Sequence, residues 1–499
     1  MIAIDRKAPK ALHRQIYDAY RTAIVDGRLR PGQRIPSTRM LASEIGVSRF
    51  PVLNAYAQLL AEGYFESRMG AGTIVSSLLP DVLTSSTPPG PQTPVRTRSR
   101  GLRSAHSLSS GLISGPRPVS HGSTIAPRFY RAPWLLGFGA FSVGQVAFDQ
   151  FPVRVWTNLV GRHCRRLDAK TFHYGDPLGS RPLREAIASY LRTSRSLRCE
   201  AEQVMIVSGS QQALEISARV LLDPGSPVWM EEPGYGLARD VFALTGCRIV
   251  PVPVDGEGLD VSAGIKLSRK ARAAFVTPSH QFPLGVTMSA SRRFQLLDWA
   301  QNAGSWIIED DYDSEYRYES LPIASLQGVD ANGRVIYIGT FSKVLFPSLR
   351  IGYVVIPPDL VERFLTMRRT MDIGPPTFYQ GVLADFISEG HFARHIRRMR
   401  VLYRDRRSAL VKSIGKELGS TTEILGAEAG MHLTVTLPEA HRDVEIAERA
   451  ARQNLWIWPL SASYFGKASR SGLILGFGST RVEEIPQAVR KLRKLLSAQ

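Results

Sequence analysis

A lysine that directly follows a strand-like run is the residue most suited to covalent chemistry in this chain. The run Val335–Thr340 is rich in β-branched residues, and Ser342, Lys343 and then Arg350 come after it. A lysine held among polar donors at a strand end is desolvated, so its amine can lose its proton and attack a carbonyl to form a Schiff base. Pyridoxal 5′-phosphate (PLP) carries both an aldehyde for the lysine and a phosphate for the arginine. The alternative is an ordinary surface lysine beside a loop arginine.

A second strand end is suited to holding a phosphate. Val207 leads into Ser208, Gly209, Ser210 and Gln211, which predict a sharp turn from a strand into a helix. Amides and hydroxyls at a helix start bind phosphate, and the helix dipole assists them. A plain glycine turn with Ser210 as a helix cap is the alternative.

Acidic and aromatic side chains follow two more predicted strands. The run 306–308 is followed, after Glu309, by Asp310, Asp311 and Tyr312. A buried aspartate keeps a pyridine nitrogen protonated, and a tyrosine bonds the ring's phenolic oxygen, although an acidic surface loop would look the same and Asp310 and Asp311 are equivalent by pattern. Tyr235 follows another strand, where it either stacks on the ring or packs on the core.

Composition limits the classes of protein to which the chain can belong. With 499 residues and a net charge of +19, we expect a soluble protein of two or three domains that binds a polyanion. Residues 1–130 carry 17 Lys and Arg against 7 acidic residues, so we expect nucleic acid to bind near the N-terminus. No run is apolar enough for a membrane span, and three scattered cysteines suggest free thiols, so we expect a cytoplasmic protein without a metal site.

Residues 1–76 have the pattern of a winged helix-turn-helix. An amphipathic stretch over 10–26 precedes two short helices, the second of which starts after Ser48, and a hairpin follows with a basic tip. The predicted DNA contacts lie on these helices and the wing: Arg39, Ser48, Arg49, Asn54 and Arg68. Surface solvation is the alternative for the arginines.

The rest of the chain divides into a linker and a large globular domain. Residues 77–130 are rich in Pro, Ser and Arg and poor in apolar residues, which indicates a solvated linker. From 131 to 499 short apolar strands alternate with helical stretches, which predicts an α/β fold with a mostly parallel central sheet covered on both faces. Ligands in such sheets bind at the carboxyl ends of the strands.

These motifs together resemble a known family. Residues 1–76 are similar to the winged helix-turn-helix of the GntR superfamily, and residues 131–499 resemble a fold-type I aminotransferase, in the order found in MocR/GabR-type transcriptional regulators. The second resemblance implies a smaller α+β subdomain beside the central sheet. The matching segments are 34–39, 46–49, 62–64 and 70–73 in the first part, and 174–177, 208–214, 232–235, 277–283, 309–315 and 340–353 in the second. Many motifs in one order are more specific than any one of them.

The resemblance implies a role for each residue of the site. Lys343 would form the internal aldimine with PLP, Asp310 would pair with the pyridine nitrogen, Tyr312 would bond the ring oxygen and Tyr235 would stack on the ring. The residues that would hold the phosphate are Ser210, Gln211, Thr340, Ser342 and Arg350, with Tyr174 reaching a phosphate from the partner subunit of a homodimer.

Two positions depart from catalytic aminotransferases. Phe282 replaces the usual asparagine, so one contact to the ring oxygen is missing or comes from His280 or Gln281. Ile474 stands where the arginine that grips a substrate carboxylate is expected, and Arg239 from a loop is the other candidate for that task.

Three functions are compatible with the sequence. The first is a regulator that binds operator DNA and senses either an amino-group effector or PLP itself through Lys343. The second is a working aminotransferase with an accessory DNA-binding head, which the two departures disfavour, so that we expect at most residual transaminase activity. The third is a scaffold for dimerisation that binds no cofactor.

Overall fold

The chain folds into two compact units, Met1–Ser114 and Gly115–Gln499. The computed structural model describes residues 4–6, 8–68, 72–76, 132–167, 172–318, 324–419, 422–438 and 442–497. The linker predicted over 77–130 lies outside these residues. The predicted boundaries of 1–76 and 131–499 therefore stay predictions.

Among its described residues, the first unit contains three helices followed by a hairpin. The elements are α1 (Leu12–Val25), α2 (Thr38–Glu44), α3 (Arg49–Ala61), β1 (Phe65–Arg68) and β2 (Gly72–Val75). The Ser37 hydroxyl caps α2 by accepting a hydrogen bond from the Met40 amide at 3.2 Å, and Gly46 takes a left-handed conformation, φ +67°, in the turn before α3. The helix-turn-helix and its antiparallel hairpin confirm the predicted fold of this unit.

One small apolar core holds α3 in place. Ile16 of α1 and Val52 and Leu59 of α3 are fully buried. The rings of Tyr20, Tyr56 and Phe65 meet edge to face, with centroids 5.2–5.6 Å apart, a favoured aromatic geometry. The outer face of α3 is left to solvent.

The second unit is built on an eight-stranded sheet. Its strands are β3 (Val204–Val207), β4 (Pro227–Glu232), β5 (Arg248–Asp255), β6 (Gly258–Leu259), β7 (Ala273–Val276), β8 (Trp306–Asp311), β9 (Val335–Thr340) and β10 (Gly352–Val355). They lie in the order β3-β10-β9-β8-β7-β4-β5-β6, and β4, β5, β7, β8 and β9 pair in parallel. The mostly parallel central sheet is as predicted.

Helices supply the cover that such a sheet needs. Every residue of β3, β7 and β9 is buried, so both faces of the sheet are covered. The longer helices are α4 (Val153–Cys164), α5 (Arg181–Arg195), α6 (Ser210–Leu221), α7 (Gly236–Leu244), α8 (Ala290–Ala303), α9 (Val361–Asp372), α10 (Phe378–Ser388) and α11 (His391–Leu418). Short helices occupy Pro133–Leu136, Val261–Leu267 and Leu326–Val329.

A smaller antiparallel sheet with two helices follows. Its strands are β11 (Ile424–Leu425), β12 (His432–Leu437), β13 (Trp458–Pro459) and β14 (Ser471–Gly476), in the order β11-β12-β14-β13. The helices are α12 (Asp443–Ala451) and α13 (Ile485–Ser497). This part is the α+β subdomain predicted from the sequence.

The structure also bears on the expectations about membrane spans and cysteines. No helix in the described part of the chain combines the length and the apolar character that a membrane crossing requires. Cys164, Cys199 and Cys247 are free thiols, and only Cys164 is exposed.

Candidate functional site

A cavity of about 260 Å³ opens at the carboxyl ends of β8 and β9, where the sequence predicts a ligand. Its walls come from strand ends and helix starts that are far apart in the chain. The predicted site residues that line it are Ser210, Gln211, Tyr235, Asp310, Tyr312, Thr340, Ser342, Lys343 and Arg350. The sheet therefore brings nine of the ten predicted cofactor residues together around one space.

Lys343 reaches into this cavity from the turn after β9. Its Nζ donates a hydrogen bond to the Gly144 carbonyl at 3.0 Å. Burial lowers the pKa of the Lys343 ammonium, while the negative charges of Asp313 and Asp310 oppose that shift. The amine is thus held beside two carboxylates, with its nucleophilic neutral form favoured by desolvation.

Asp310 and Asp311 take different roles because neighbouring residues of a strand point to opposite faces. Asp310 lines the cavity, is 3 % exposed, and its Oδ1 has no hydrogen-bond partner among the described residues. Asp311 Oδ2 instead accepts bonds from Arg195 Nε at 2.8 Å and from the Tyr337 hydroxyl at 2.5 Å. The geometry therefore separates two residues that the sequence pattern leaves equivalent, and Asp310 is the one that faces the cavity.

The electrostatic state of Asp310 follows from its surroundings. Burial raises the pKa of Asp310 to about 7, the negative charges of Asp311 and Asp313 add to the rise, and Lys343 opposes it. A positively charged ring nitrogen placed against Oδ1 would reverse this shift and hold the carboxylate ionised.

Tyr312 is held in the cavity wall by residues behind it. Its hydroxyl donates to the His280 carbonyl at 2.9 Å and lies 3.1 Å from His280 Nδ1. His280 Nδ1 is also 3.2 Å from Asp313 Oδ2. His280, Asp313 and His432 form a buried cluster in which one ring nitrogen or carboxylate oxygen from each residue lies within 4.8 Å of the others.

The part of the cavity where the start of α6 meets Arg350, called the phosphate end below, has the features of a phosphate site. Ser210 and Gln211 are the first residues of α6, and Gln211 Nε2 is buried without a hydrogen-bond partner among the described residues. Gly209 precedes them with φ +107°, and a Cβ there would lie 3.3 Å from the guanidinium of Arg350. Amides at the helix start, an unsatisfied amide side chain and an arginine thus meet where a glycine leaves room.

We expect Gly209→Ala to weaken PLP binding at least tenfold. An alanine at φ +107° is strained by about 1–3 kcal/mol, and its Cβ crowds Arg350. Titration of the purified protein with PLP, followed by visible absorbance, measures the affinity. Gly225→Ala is the matched control, because Gly225 has φ +86° with nothing within 4 Å of its Cβ position. Equal affinity in the two variants would contradict a phosphate at Arg350.

The two predicted tyrosines outside this core differ in position. Tyr235 lines the cavity and its ring lies 5.7 Å from that of Phe282 in an edge-to-face arrangement. Tyr174 does not line the cavity of its own chain and is 77 % exposed. It is the one predicted cofactor residue that the single chain does not bring to the site.

The residues at the two departures differ in position, since Phe282 lines the cavity and Ile474 does not. Phe282 lies in the wall, whereas Gln281 Nε2 is engaged by the carbonyls of Pro233 and Phe282, at 2.9 and 2.6 Å. His280 lies behind Tyr312, so neither candidate for the missing asparagine contact is part of the wall. Ile474 is fully buried in β14, opposite Thr434 and Trp458.

Sequence reasoning missed several residues of the cavity. Gly144 lies against Lys343 Nζ, and any Cβ there would collide with the amine. His432 and Trp458 line the cavity near Phe282, with ring centres 5.3 and 6.0 Å from that of Phe282. A glycine or an aromatic residue far from Lys343 in sequence gives no local signal. The only available hint was the similarity of the whole domain to a known fold.

In the first unit four of the five predicted DNA contacts are exposed. Arg39 is on α2, and Ser48, Arg49 and Asn54 are at or near the start of α3. Arg49 Nε donates to Thr38 Oγ1 at 3.0 Å. Arg68 ends β1, and its side chain and the hairpin tip at 69–71 lie outside the described residues.

The exposed face of this unit also carries apolar residues that the sequence reasoning did not select. Phe50 is 70 % exposed, Met40 58 % and Leu53 41 %. They flank the exposed arginines of α2 and α3, where a helix-turn-helix meets the major groove. Apolar side chains in that position contact thymine methyl groups in known complexes.

The residues of the cavity fit PLP on three independent observations. Asp310 Oδ1 and Gln211 Nε2 are buried polar atoms without partners, which is rare unless a ligand satisfies them. Gly209 leaves space beside Arg350 for a phosphate, and Gly144 leaves space for the Lys343 amine. Fold and site thus define an aminotransferase-like domain with a lysine for PLP, in a chain that also carries a winged helix-turn-helix.

Comparison with known proteins agrees with both halves of this description. Residues 140–487 match the model of the family "Aminotransferase class I and II", and residues 12–75 match "Bacterial regulatory proteins, gntR family". The chain belongs to the aminotransferase class I and II family, in the group whose members carry a GntR-type DNA-binding domain at the N-terminus.

Relatives of known name share this architecture along their whole length. The chain is 39 % identical to the probable rhizopine catabolism regulatory protein MocR of Rhizobium meliloti, over 100 % of this chain and 96 % of that protein. It is 30 % identical to the pyridoxine biosynthesis transcriptional regulator PdxR of Corynebacterium glutamicum, over 96 % and 94 %. Among solved structures, the α-aminoadipate aminotransferase LysN of Thermus thermophilus, complexed with N-(5′-phosphopyridoxyl)-L-leucine, matches with a TM-score of 0.70 and 27 % identity, over 76 % and 97 %.

Proposed function

We propose that this protein is a transcriptional regulator that binds operator DNA through its N-terminal unit and responds to an amine, or to PLP itself, through the cavity around Lys343. The observation that carries the proposal is the presence, in one cavity, of the Lys343 amine and of Asp310, whose Oδ1 has no hydrogen-bond partner among the described residues. The GntR-type match of residues 12–75 supports the DNA-binding half.

The residues that would hold PLP follow from their places in the cavity. Ser210, Gln211 and Arg350 would bind the phosphate, Asp310 the ring nitrogen and Tyr312 the ring oxygen. Thr340 Oγ1 accepts a bond from the Ser342 amide at 3.2 Å and orders the turn that carries Lys343. Tyr235 would lie against the ring. When bound, PLP supplies an aldehyde carbon that exchanges one primary amine for another.

Lys343 would act as the amine that an effector displaces. Its lowered pKa favours the neutral, nucleophilic amine, and the Gly144 carbonyl orients Nζ. After displacement, Nζ is free to take up a proton beside Asp313 and Asp310, so the charge of the cavity changes with its occupant. Such a change of contacts is what a regulator needs to report on a ligand.

The test is a parallel titration of the full-length protein. Candidate primary amines and PLP are added separately, while visible absorbance and affinity for operator DNA are both followed. The proposal requires that at least one amine, or the addition of PLP to protein freed of it, changes both signals. Operator affinity that ignores the occupant of the cavity would contradict it.

On the DNA side, Arg49→Ala is expected to weaken operator binding while the PLP absorbance stays unchanged. Arg49 is exposed at the start of α3. Loss of a base contact costs about 1–3 kcal/mol of binding free energy, whereas loss of a phosphate contact lowers the slope of affinity against salt concentration by about one. Fluorescence anisotropy at several salt concentrations measures both effects. Arg28→Ala, which removes the same charge from an exposed site paired with Asp26, is the control. Equal losses in the two variants would show a general charge effect instead.

A homodimer forms part of the proposal. Tyr174 is exposed and absent from its own cavity, as expected of a residue that reaches the phosphate of a partner subunit. Two DNA-binding heads in a dimer match operators with two half-sites. Because its target is operator DNA, the protein would act in the cytoplasm.

Two variants of this function use the same lysine and are separated by experiment. In one, PLP itself is the signal, and the name of the relative PdxR, a regulator of pyridoxine biosynthesis, supports it. In the other, the domain still transfers amino groups, because the set of Lys343, Asp310 and Arg350 is complete. Removing PLP with a carbonyl scavenger tests the first by its effect on operator affinity. Turnover with an amino donor and a keto acid tests the second.

A further inference from the structure

We propose that the effector of this regulator is a primary amine that carries a hydroxyl group and no carboxylate. The inference rests on the proposed function, since it names the chemical class of the ligand that reaches Lys343. Its basis is the set of side chains that line the cavity around Phe282, His432 and Trp458.

The cavity offers no cation for a carboxylate. Of the described residues that line it, only Lys343 and Arg350 carry a positive charge. Arg350 lies beside Gly209 at the start of α6 and would bind the phosphate. Lys343 is the amine to be displaced. A carboxylate brought into the remaining space would therefore be buried without a cation from the described residues of this chain, which is strongly unfavourable.

The positions that normally supply such a cation are occupied differently here. Ile474 is fully buried in β14, and its cross-strand partners are Thr434 and Trp458, so the three side chains share the face that includes Trp458 of the cavity wall. An aliphatic side chain there offers no charge. Another residue would have to supply the missing positive charge.

Arg239, which the sequence suggested as a loop residue, lies instead in α7 and is engaged elsewhere. Its Nε donates to Asp240 Oδ1 at 3.2 Å, and its guanidinium lies 5.1 Å from the centre of the Phe465 ring. It does not line the cavity. The two residues that would bind a carboxylate in this fold are thus an isoleucine and an arginine with other partners.

The fixed charges of the cavity also favour a cation over an anion. Asp310 and Asp313 both line it, and Glu231 is buried close enough to Asp310 to raise its pKa. A protonated amine entering this space is attracted, and a carboxylate is repelled. The charge pattern therefore points the same way as the missing arginine.

The part of the wall around Phe282 is mostly apolar. Phe282, Met431 and Trp458 line it, with the ring centres of Phe282 and Trp458 6.0 Å apart. His432, at the start of β12, is 3 % exposed and its Nε2 has no hydrogen-bond partner among the described residues. A buried nitrogen without a partner, on a residue that lines the cavity, is suited to accept a hydrogen bond from a ligand.

The state of His432 decides which group it recognises. Burial, followed by the nearby His280, lowers the pKa of His432 well below its usual value, and the ring is hydrogen-bonded to the Pro283 carbonyl. A neutral imidazole keeps its proton on the nitrogen that donates, so the unpartnered Nε2 carries the lone pair. It accepts a hydrogen bond from a hydroxyl and repels a carboxylate.

Four stable conjugates separate the two parts of the proposal. N-(5′-phosphopyridoxyl)-ethylamine and -L-alanine differ only by a carboxylate, as do N-(5′-phosphopyridoxyl)-ethanolamine and -L-serine. Calorimetry of the full-length protein freed of PLP measures their affinities without any bond to Lys343. We expect each carboxylated conjugate to bind at least tenfold more weakly than its partner, and the ethanolamine conjugate to bind several-fold more tightly than the ethylamine conjugate.

Variants assign these differences to residues. His432→Leu is expected to remove the preference for ethanolamine over ethylamine, whereas His13→Leu, at an exposed site in the first unit, keeps it. Ile474→Arg is expected to bring the alanine conjugate to the affinity of the ethylamine conjugate or beyond. If that variant fails to fold, as judged by thermal melting, the comparison of conjugates on the unsubstituted protein decides alone.

The outcomes distinguish this inference from the function on which it rests. An alanine conjugate that binds as tightly as the ethylamine conjugate overturns the absence of a carboxylate, and equal binding of ethanolamine and ethylamine overturns the hydroxyl. Both results leave the regulator in place. Failure of pyridoxamine 5′-phosphate and of all four conjugates to bind would overturn the proposed function and this inference together.

Discussion

Lys343→Ala is expected to abolish the visible absorbance that PLP gives on this protein and to abolish the response of operator binding to amines. The Lys343 amine is the only lysine amine among the described residues that line the cavity, and it is partly desolvated and oriented by the Gly144 carbonyl. Alanine offers no nucleophile, so PLP would be held by non-covalent contacts alone. Absorbance spectra and anisotropy with operator DNA measure the two losses.

The fold should survive this substitution. Removing an amine whose pKa is lowered by burial relieves a desolvation cost, so we expect thermal stability without PLP to be equal or higher. Lys266→Ala, at an exposed lysine outside the cavity, is the control and should keep the spectrum. A band that persists in Lys343→Ala would show that another group binds the aldehyde. Loss of the band together with unfolding would show only a structural role.

Much of the fold was predictable because local patterns and tertiary structure agree. The β-branched run Val335–Thr340 forms β9 with the bounds expected, since a strand buried on both faces needs no polar alternation. Ser37 and Gly46 set the limits of α2 by capping and by a left-handed turn, and both are local signals. The winged helix-turn-helix followed from such signals.

The site was predictable to the extent that its residues sit at strand ends. Ser210, Asp310 and Lys343 lie in different segments, and a parallel sheet brings its carboxyl ends to one edge. Pattern alone does not say which face of β8 turns to the cavity, so Asp310 and Asp311 were equivalent until the partners of Asp311 were seen.

Residues contributed from far along the chain were beyond local reasoning. Gly144 meets Lys343 across 199 positions, and a glycine gives no pattern that indicates an amine beside it. His432 reaches the cavity through the second sheet, whose register with β14 decides what it faces. These contacts depend on how the two sheets of the second unit pack, which no single segment encodes.

The excess positive charge of the chain is consistent with a separation of tasks. The exposed arginines of α2 and α3 face solvent, where they can bind phosphates of DNA. The cavity differs, with Asp310 and Asp313 in its wall together with Lys343 and Arg350. Under the proposed function the first unit would bind a polyanion, and the cavity would bind an amine beside the phosphate of PLP.

The paired substitutions Asp310→Asn and Asp311→Asn are expected to act in opposite directions on stability. Asp311 is bonded to Arg195 Nε and Nη2 at 2.8 and 2.7 Å, and Arg195 is 4 % exposed. Removing the carboxylate charge leaves a buried guanidinium without its counterion, which costs about 3–5 kcal/mol. We therefore expect Asp311→Asn to lower the melting temperature by many degrees at neutral pH, whether PLP is present or absent.

Asp310→Asn should instead stabilise the protein freed of PLP. The pKa of Asp310 is raised from 3.8 to about 7 in the fold, chiefly by burial. Between about pH 4 and pH 7 the unfolded chain loses this proton while the folded chain keeps it, so the wild type loses stability as pH rises through that window. Above about pH 7 the full penalty is present, on the order of a few kcal/mol. Asparagine cannot ionise and escapes this loss.

Binding of PLP should reverse the order of the two proteins. The protonated ring nitrogen gives the Asp310 carboxylate the partner that it lacks, so PLP stabilises the wild type more than Asp310→Asn, whose amide offers no charge. Thermal melts from pH 4 to pH 8, with and without PLP, measure this crossing. If Asp310→Asn without PLP is less stable than the wild type at pH 8, then Asp310 is part of the structural network rather than a group held ready for the cofactor. The crossing would also identify the carboxylate that faces the ring, because Asp311→Asn is expected to be less stable than the wild type at neutral pH both with and without PLP.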